Sequence, residues 1–414
     1  MSLTSISWSV VILINFIVFL LSLVDLVLSP KKNQLAISRI MDQEMERGIS
    51  YDVTIKVKNF SNQALKYKFI DGVPQSFKKN FPIIGHISKN DTSTINYNVT
   101  AQVRGKFKID ALYFRYKSRL GLWEKQTTVG LKDEVRVIPD LTETKQYLEN
   151  AQKYLMYEGT EIRKQQKGNG EFTKVRNYVV GDDPRKINWR QSAKLQELMT
   201  NEYEPEHGKY ITILIDCGRM MGAELKNGNR LEKSLDASLT VAAAALQKGD
   251  YVSVLAFAKD VRVYIPPAKG MNHLQTILHA IYDVKVEPVE SNYATVLNYV
   301  QTMQKKRSLL LLFSDIHTFL HEESTLVYLK RLRRRHLFLM IGIEDETLLE
   351  RVNDFPSNLS TVMIKSMAQQ QLLTKQREKV KWEKQGLQMV EATEENLAVT
   401  AVSHYINIMN RGLI

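Results

Sequence analysis

The apolar residues of this chain change their spacing near residue 209, and that change fixes what each part can become. Between residues 35 and 140 they alternate with period two. Tyr51-Asp52-Val53-Thr54-Ile55-Lys56-Val57-Lys58-Asn59 does so, and Thr94-Ile95-Asn96-Tyr97-Asn98-Val99 repeats the pattern. Side chains along a strand point to opposite faces in turn, so this spacing belongs to sheets with one buried and one wet face. Shorter strands are expected at residues 65–69, 107–116 and 135–138. Several short strands with turn signals between them predict an Ig-like β-sandwich over residues 35–140, a module suited to spacing or binding.

After residue 209 the strands read as unbroken apolar runs, the mark of burial on both faces. Tyr210-Ile211-Thr212-Ile213-Leu214-Ile215 and Leu309-Leu310-Leu311-Leu312-Phe313 are the clearest. Further strands are expected at 251–257, 261–265, 337–342 and 387–390. Helical spacing falls between them, at 231–247, 274–282, 294–304, 321–334, 368–384 and 395–409. Strands alternating with helices predict a doubly wound, mainly parallel sheet over 208–414. Residues 141–207 form a connector, with a loop at Gly168-Asn169-Gly170.

Residues 8–28 are apolar, broken only by Ser9, Asn15, Ser22 and Asp25. As a helix this run is about 31 Å long, enough to span a bilayer once. No Lys or Arg precedes it and no small-residue cleavage site follows, which argues against a signal peptide. Lys31 and Lys32 follow directly, so the positive-inside rule puts the bulk of the chain in the cytoplasm, tethered to the inner membrane. Asp25 is expected at the interface, and Asn15, deeper, paired with another helix. One cysteine in 414 residues, Cys217, excludes an intrachain disulfide and fits a reducing compartment. A net charge of +12 favours acidic partners or anionic lipid. No nucleic-acid motif accompanies it.

The densest constellation lies at residues 170–206. Arg176, Tyr178, Gly181-Asp182-Asp183-Pro184-Arg185-Lys186-Ile187-Asn188-Trp189, Ser192-Ala193-Lys194 and Glu202-Tyr203-Glu204-Pro205-Glu206 follow one another. Gly181 to Pro184 reads as a tight turn beside several arginines. Ile187 and Trp189 alternate like strand residues, with Trp189 expected as a buried anchor and Arg185 as an exposed fork for partner carboxylates. The segment reads either as a structural clasp or as a partner-docking or catalytic loop. Its partner-binding candidates are Asp182, Asp183, Arg185, Trp189 and Arg176.

This stretch resembles the signature of the domain-of-unknown-function 58 family, G-x-x-x-x-x-R-x-Y-x-x-G-D-D-x-R-x-I-x-W with S-A-K and an acidic pair behind it. Arg104-Gly105-Lys106-Phe107 and Leu120-Gly121-Leu122-Trp123 resemble a second family segment, with Arg119 replacing the family's usual proline or a residue next to it, so a different turn is expected there. Members often begin with two spanning helices; the one seen here resembles the second. Asp216-Cys217-Gly218-Arg219-Met220-Met221-Gly222 resembles a degenerate von Willebrand A signature. The resemblance implies metal-site candidates Asp216, Asp315 and Ser291, the last at the place of a threonine. Gly218 and Met220 replace two ligand serines, so Mg²⁺ or Mn²⁺ binding is expected to be weak or absent. Arg219, or another basic side chain, is expected to neutralise the two aspartates. No catalytic residues are assigned: no H-E-x-x-H, P-loop or G-x-S-x-G occurs, and nothing pairs Asp182 and Asp183 with a substrate group. The basic run Lys330-Arg331-Leu332-Arg333-Arg334-Arg335-His336 is either a solvated helix end or a docking patch. The resemblance implies association with a MoxR-type AAA+ ATPase and other von Willebrand A proteins. The function expected is then an adaptor or scaffold in protein maturation or complex assembly, not an enzyme. The alternatives are a metal-dependent enzyme and an exported adhesion module.

Overall fold

The computed structural model describes residues 8–151, 153, 171–204, 208–322 and 325–413. The expected loop at 168–170 and the Pro205-Glu206 end of the signature lie outside them. The chain is mixed α/β and divides into two compact units, Met1–Asp140 and Leu141–Ile414.

The first unit opens with the helix Trp8–Leu28, long and apolar enough to cross a membrane. Asn15 bonds within it, its amide donating to the Val11 carbonyl at 2.9 Å. Nine strands follow: β1 (Leu35–Ile40), β2 (Glu44–Glu46), β3 (Ser50–Asn59), β4 (Leu65–Asp71), β5 (Phe77–Lys78), β6 (Ile83–Ile87), β7 (Thr92–Ala101), β8 (Gly105–Lys117) and β9 (Glu124–Ile138). They form two sheets, ordered β1-β3-β7-β5 and β2-β9-β8-β4-β6. Val53, Ile55, Val57 and Val99 of the first share one core with Leu65, Phe69, Leu112 and Phe114 of the second. A buried ion pair crosses between the sheets. Arg39 on β1 binds Asp71 on β4, with its Nε 2.8 Å from Oδ2, and Tyr97 on β7 donates to the same carboxylate at 2.5 Å. Each partner of such a charge compensates the other's lost hydration, so removing one would strand the other. Strand β9 is far longer than the four residues expected. Its first eleven residues hold no fully buried position and so carry no apolar alternation.

The second unit begins with the helix Thr142–Glu149 and an antiparallel pair, β10 (Glu171–Asn177) with β11 (Met199–Glu204). Then come β12 (Tyr210–Asp216), the short hairpin β13 (Glu224–Leu225) and β14 (Gly228–Asn229), β15 (Tyr251–Phe257), β16 (Val261–Ala268), β17 (Ser308–Phe313), β18 (Leu337–Ile343) and β19 (Gln388–Ala392). Six of these form one sheet, ordered β16-β15-β12-β17-β18-β19. All pairs are parallel except β15 with β16. The helix Arg230–Gln247 is buried along almost its whole length. Its run Ala242–Ala245 is small because it is enclosed by the sheet and by the helices Thr142–Glu149 and Leu397–Asn410. Tyr405 on the last helix donates to Asp250 at 2.7 Å, and the other oxygen of that carboxylate accepts the Lys209 N–H at 2.9 Å. On the other face Leu214, Leu310, Leu312 and Met340 pack with Tyr293, Phe319 and Trp382.

The helix expected at 321–334 is Thr325–Leu332, and a separate short helix, Ile316–Leu320, precedes it. The basic run therefore leaves its helix at Leu332. His336 is buried against the Ser308 hydroxyl at 2.8 Å, and burial pushes its pKa down. Arg333 donates to the Gln385 carbonyl, so the run is not one uniform solvated face.

Candidate functional site

Strand order reverses between β15 and β17, on either side of β12. In open parallel sheets the crevice beyond the carboxyl ends at such a reversal is where ligands gather. Asp216 ends β12 and Asp315 follows β17. Asp216 is 1% exposed. Four donors surround its carboxylate. Oδ1 accepts the Gly218 N–H at 2.8 Å and the Ser291 hydroxyl. Oδ2 accepts the Ser314 hydroxyl at 2.5 Å and the Tyr293 hydroxyl at 3.0 Å. Burial pushes the Asp216 pKa up, and these hydrogen bonds pull against it. Tyr293 is pushed well above the usual phenol range by burial and by the neighbouring carboxylate.

Gly218 makes this arrangement possible. A Cβ there would sit 2.0 Å from Ser291 Oγ and 3.2 Å from Asp216 Oδ1. Its φ of −72° suits any residue, so the constraint is space and not backbone strain. Ser291 thus brings a hydroxyl into room that a side chain at 218 would fill.

Asp315 turns to other partners. Its Oδ1 is paired with Arg230, and its Oδ2 accepts the Thr318 N–H at 2.9 Å and hydroxyl at 2.7 Å, capping the short helix Ile316–Leu320. Of the basic side chains expected to neutralise the aspartates, Arg230 does so at Asp315, whereas Arg219 pairs with Glu290 at 2.6 Å, both of those side chains largely in water. Such a pair contributes little. Arg230 starts its helix, where a cation opposes the dipole. Asp315, and Asp345 at 3.9 Å, compensate that charge. Mg²⁺ or Mn²⁺ would need free oxygens in octahedral array. The Asp216 oxygens each already hold two donors, and a guanidinium occupies Asp315. Among the described residues no group of three or more His, Cys, Asp or Glu is placed to hold a metal. The residues as placed do not fit that ion. Cys217 is buried, its thiol turned to the Ile215 carbonyl at 3.6 Å.

The signature segment is built differently. Arg176 on β10 grips Asp182 with two bonds of 2.8 Å. The same carboxylate accepts the Val179 N–H at 3.0 Å, and the Tyr178 hydroxyl donates to the Asp182 carbonyl at 3.1 Å. Gly181 has φ +111°, a backbone that only glycine adopts freely. Asp183 accepts the Arg185 N–H at 3.0 Å and caps the single turn Pro184–Lys186. Ile187 bridges to Thr200 on β11. Trp189 is not a strand residue. It begins the helix Trp189–Leu195, capped by the Asn188 side chain, and is 69% exposed. The buried-anchor expectation is therefore corrected: Met199 and Thr200 fill the inner face, and the indole faces water. Val180 is 97% exposed, and Arg185, Arg190, Lys194 and Leu195 are exposed as well.

A family model matches here. It is described as "Protein of unknown function DUF58" and covers residues 174–370, from β10 through most of the six-stranded sheet. A curated relative, the uncharacterized protein YeaD of Bacillus subtilis (strain 168), is 24% identical over 186 residues. That match spans 45% of this chain and 44% of the relative, so less than half of the relative's length is represented. Among solved structures, the conserved hypothetical protein BatB from Bacteroides thetaiotaomicron overlaps with a TM-score of 0.34 at 16% identity, over 49% of this chain and 100% of that one. A FixG-related protein from Vibrio parahaemolyticus gives 0.18 at 10% identity, over 24% of this chain and 96% of that one. Both overlaps are too slight to carry an argument.

Sequence reasoning missed Arg230, Ser314 and Tyr293. The two hydroxyls stood next to residues already singled out, in Glu290-Ser291-Asn292-Tyr293 and Phe313-Ser314-Asp315. Arg230 is 85 positions from Asp315 and carries no local signal.

Proposed function

We propose that the protein is a membrane-tethered adaptor whose signature segment docks a protein partner. The family resemblance makes that partner a MoxR-type AAA+ ATPase acting in protein maturation or complex assembly. In this reading the first unit is an Ig-like spacer, the second a von Willebrand A-like domain, and the bulk of the chain lies in the cytoplasm behind Lys31 and Lys32. The observation that carries it is the clamp of Arg176 on Asp182. It satisfies the polar groups of the turn internally while Val180, Arg185 and Trp189 stay in water. Tryptophan and arginine are residue types enriched at interface hot spots. The carboxyl-end aspartates serve the fold in this reading and hold no metal.

Capture of a MoxR-type ATPase by the full chain, solubilised from membranes with ATP present, tests the docking role. Trp189→Ala and Arg185→Ala should each reduce capture about tenfold or more, the scale of a hot-spot truncation. Full capture by both variants would remove the docking role from this surface.

A further inference from the structure

The turn between β8 and β9, Ser118-Arg119-Leu120-Gly121-Leu122-Trp123, has no part in the adaptor reading. It exposes three large apolar side chains: Leu120 is 62%, Leu122 52% and Trp123 40% exposed. Single exposed apolar residues are ordinary, but three within four positions at one tip mark a contact surface.

The same turn is bonded to the apolar helix. Asp25, three residues before the helix end at Leu28, is buried. It accepts the Ser118 hydroxyl at 2.5 Å, the Leu120 N–H at 2.9 Å and the Leu122 N–H at 3.3 Å. The Trp123 indole N–H donates to the Ser22 carbonyl at 2.8 Å. Lys125 reaches the carbonyls of Leu26 and Ser29, at 3.1 and 3.4 Å, and the Gln63 amide reaches that of Leu28 at 3.0 Å. The last carbonyls of a helix have no helical partner, and here Lys125 on β9 and Gln63 in the β3–β4 loop satisfy those of Leu26 and Leu28. The carboxylate within the apolar run is the peg that holds the turn. Helix end and turn form one rigid piece.

The depth of the turn follows from the helix rise. Ser22 lies six residues before Leu28, about 9 Å along the axis. A hydrocarbon core of about 30 Å takes about 20 residues, and the described helix has 21. A turn that reaches back to Ser22 is therefore level with the last two helical turns, at the edge of the hydrocarbon when the helix spans. Tryptophan favours that boundary, where its ring meets lipid and its N–H finds a polar partner. Lys31, Lys32, Lys117 and Arg119 are exposed close by in sequence and suit anionic headgroups.

We propose that residues 119–123 are a membrane-interface wedge, with Leu120, Leu122 and Trp123 seated in the acyl–headgroup boundary of the bilayer that the helix crosses. The occupant is a lipid surface. The proposal rests on the helix spanning and is independent of the docking partner.

Depth-dependent quenching tests it on the full chain in vesicles of phosphatidylcholine and phosphatidylglycerol. A fluorophore is placed on a single cysteine in a Cys217→Ser background, at Leu122→Cys, Val18→Cys or Val180→Cys. Nitroxide lipids should quench the label at 122 from the shallow position and that at 18 from the deep position, and leave 180 unquenched. Leu120→Cys should repeat the result at 122. Quenching at 18 without quenching at 122 or 120 overturns the wedge and leaves the span standing. Absence of quenching at 18 as well overturns the span and the wedge together.

Discussion

The carboxyl end of the six-stranded sheet and the signature turn use the same chemistry to opposite ends. At Asp216 hydroxyls and an amide converge on a buried carboxylate and give each of its oxygens two donors. At Asp182 an arginine and an amide also converge on a carboxylate, but the turn so fixed lifts Val180 and Trp189 into water. Both regions are rich in conspicuous polar residues. What separates them is where the apolar groups go: inward around Asp216, outward around Asp182. Saturated polar groups point to architecture, whereas apolar groups held out against their own tendency to bury point to contact.

That contrast can be broken by measurement. The largest effect is expected at Asp216→Ala, which leaves three hydroxyls and the Gly218 N–H without their acceptor in a buried place. Each such orphan costs about 1–3 kcal/mol, and Tyr293 and Ser314, 2.8 Å apart, can partly satisfy each other. A loss of about 3 kcal/mol is expected from thermal unfolding of the purified protein in detergent. A loss below about 1 kcal/mol would show the network to be slack. Gly218→Ala comes next, at about 1–3 kcal/mol, the cost of overpacking. It should be partly rescued by Ser291→Ala, because the clash is with that hydroxyl; strict additivity in the double-mutant cycle would reject the steric account. Trp189→Ala should change stability least, within about 0.5 kcal/mol, as for other surface positions. A loss of about 3–5 kcal/mol, the range for a core aromatic, would return the indole to a core and erase the contrast.

Much of the second unit was legible because a strand buried on both faces has few alternatives to an apolar run. Tyr210–Asp216 and Ser308–Phe313 fall within a residue of the expected strands. Strand β9 was mostly illegible, since its residues lie half in water and its place is dictated by β8 across the sheet. Trp382 is fully buried yet sits in Lys381-Trp382-Glu383-Lys384, where sequence shows only a charged helix end. Around the aspartates the residue types were legible and the pairings were not. Arg219 is adjacent in sequence, but Arg230 is the one that reaches Asp315. Trp189 misled because an aromatic beside charges reads alike whether it anchors a loop or projects from one. Asp25 was placed at an interface, but its partners lie beyond 90 positions away.

The enclosure of the Arg230–Gln247 helix has a consequence for how the chain is made. Part of its outer face is covered by Leu397–Asn410, and Tyr405 joins Asp250, 155 positions earlier in the chain. While a ribosome is still adding those residues, the helix has only part of its cover, from the sheet and from Thr142–Glu149. The first unit, whose pairings all close within its own 140 residues, can finish folding during that interval. The second unit waits for Leu397–Asn410 to complete that cover, and until then its partly covered flank is open to chaperones and to misassembly.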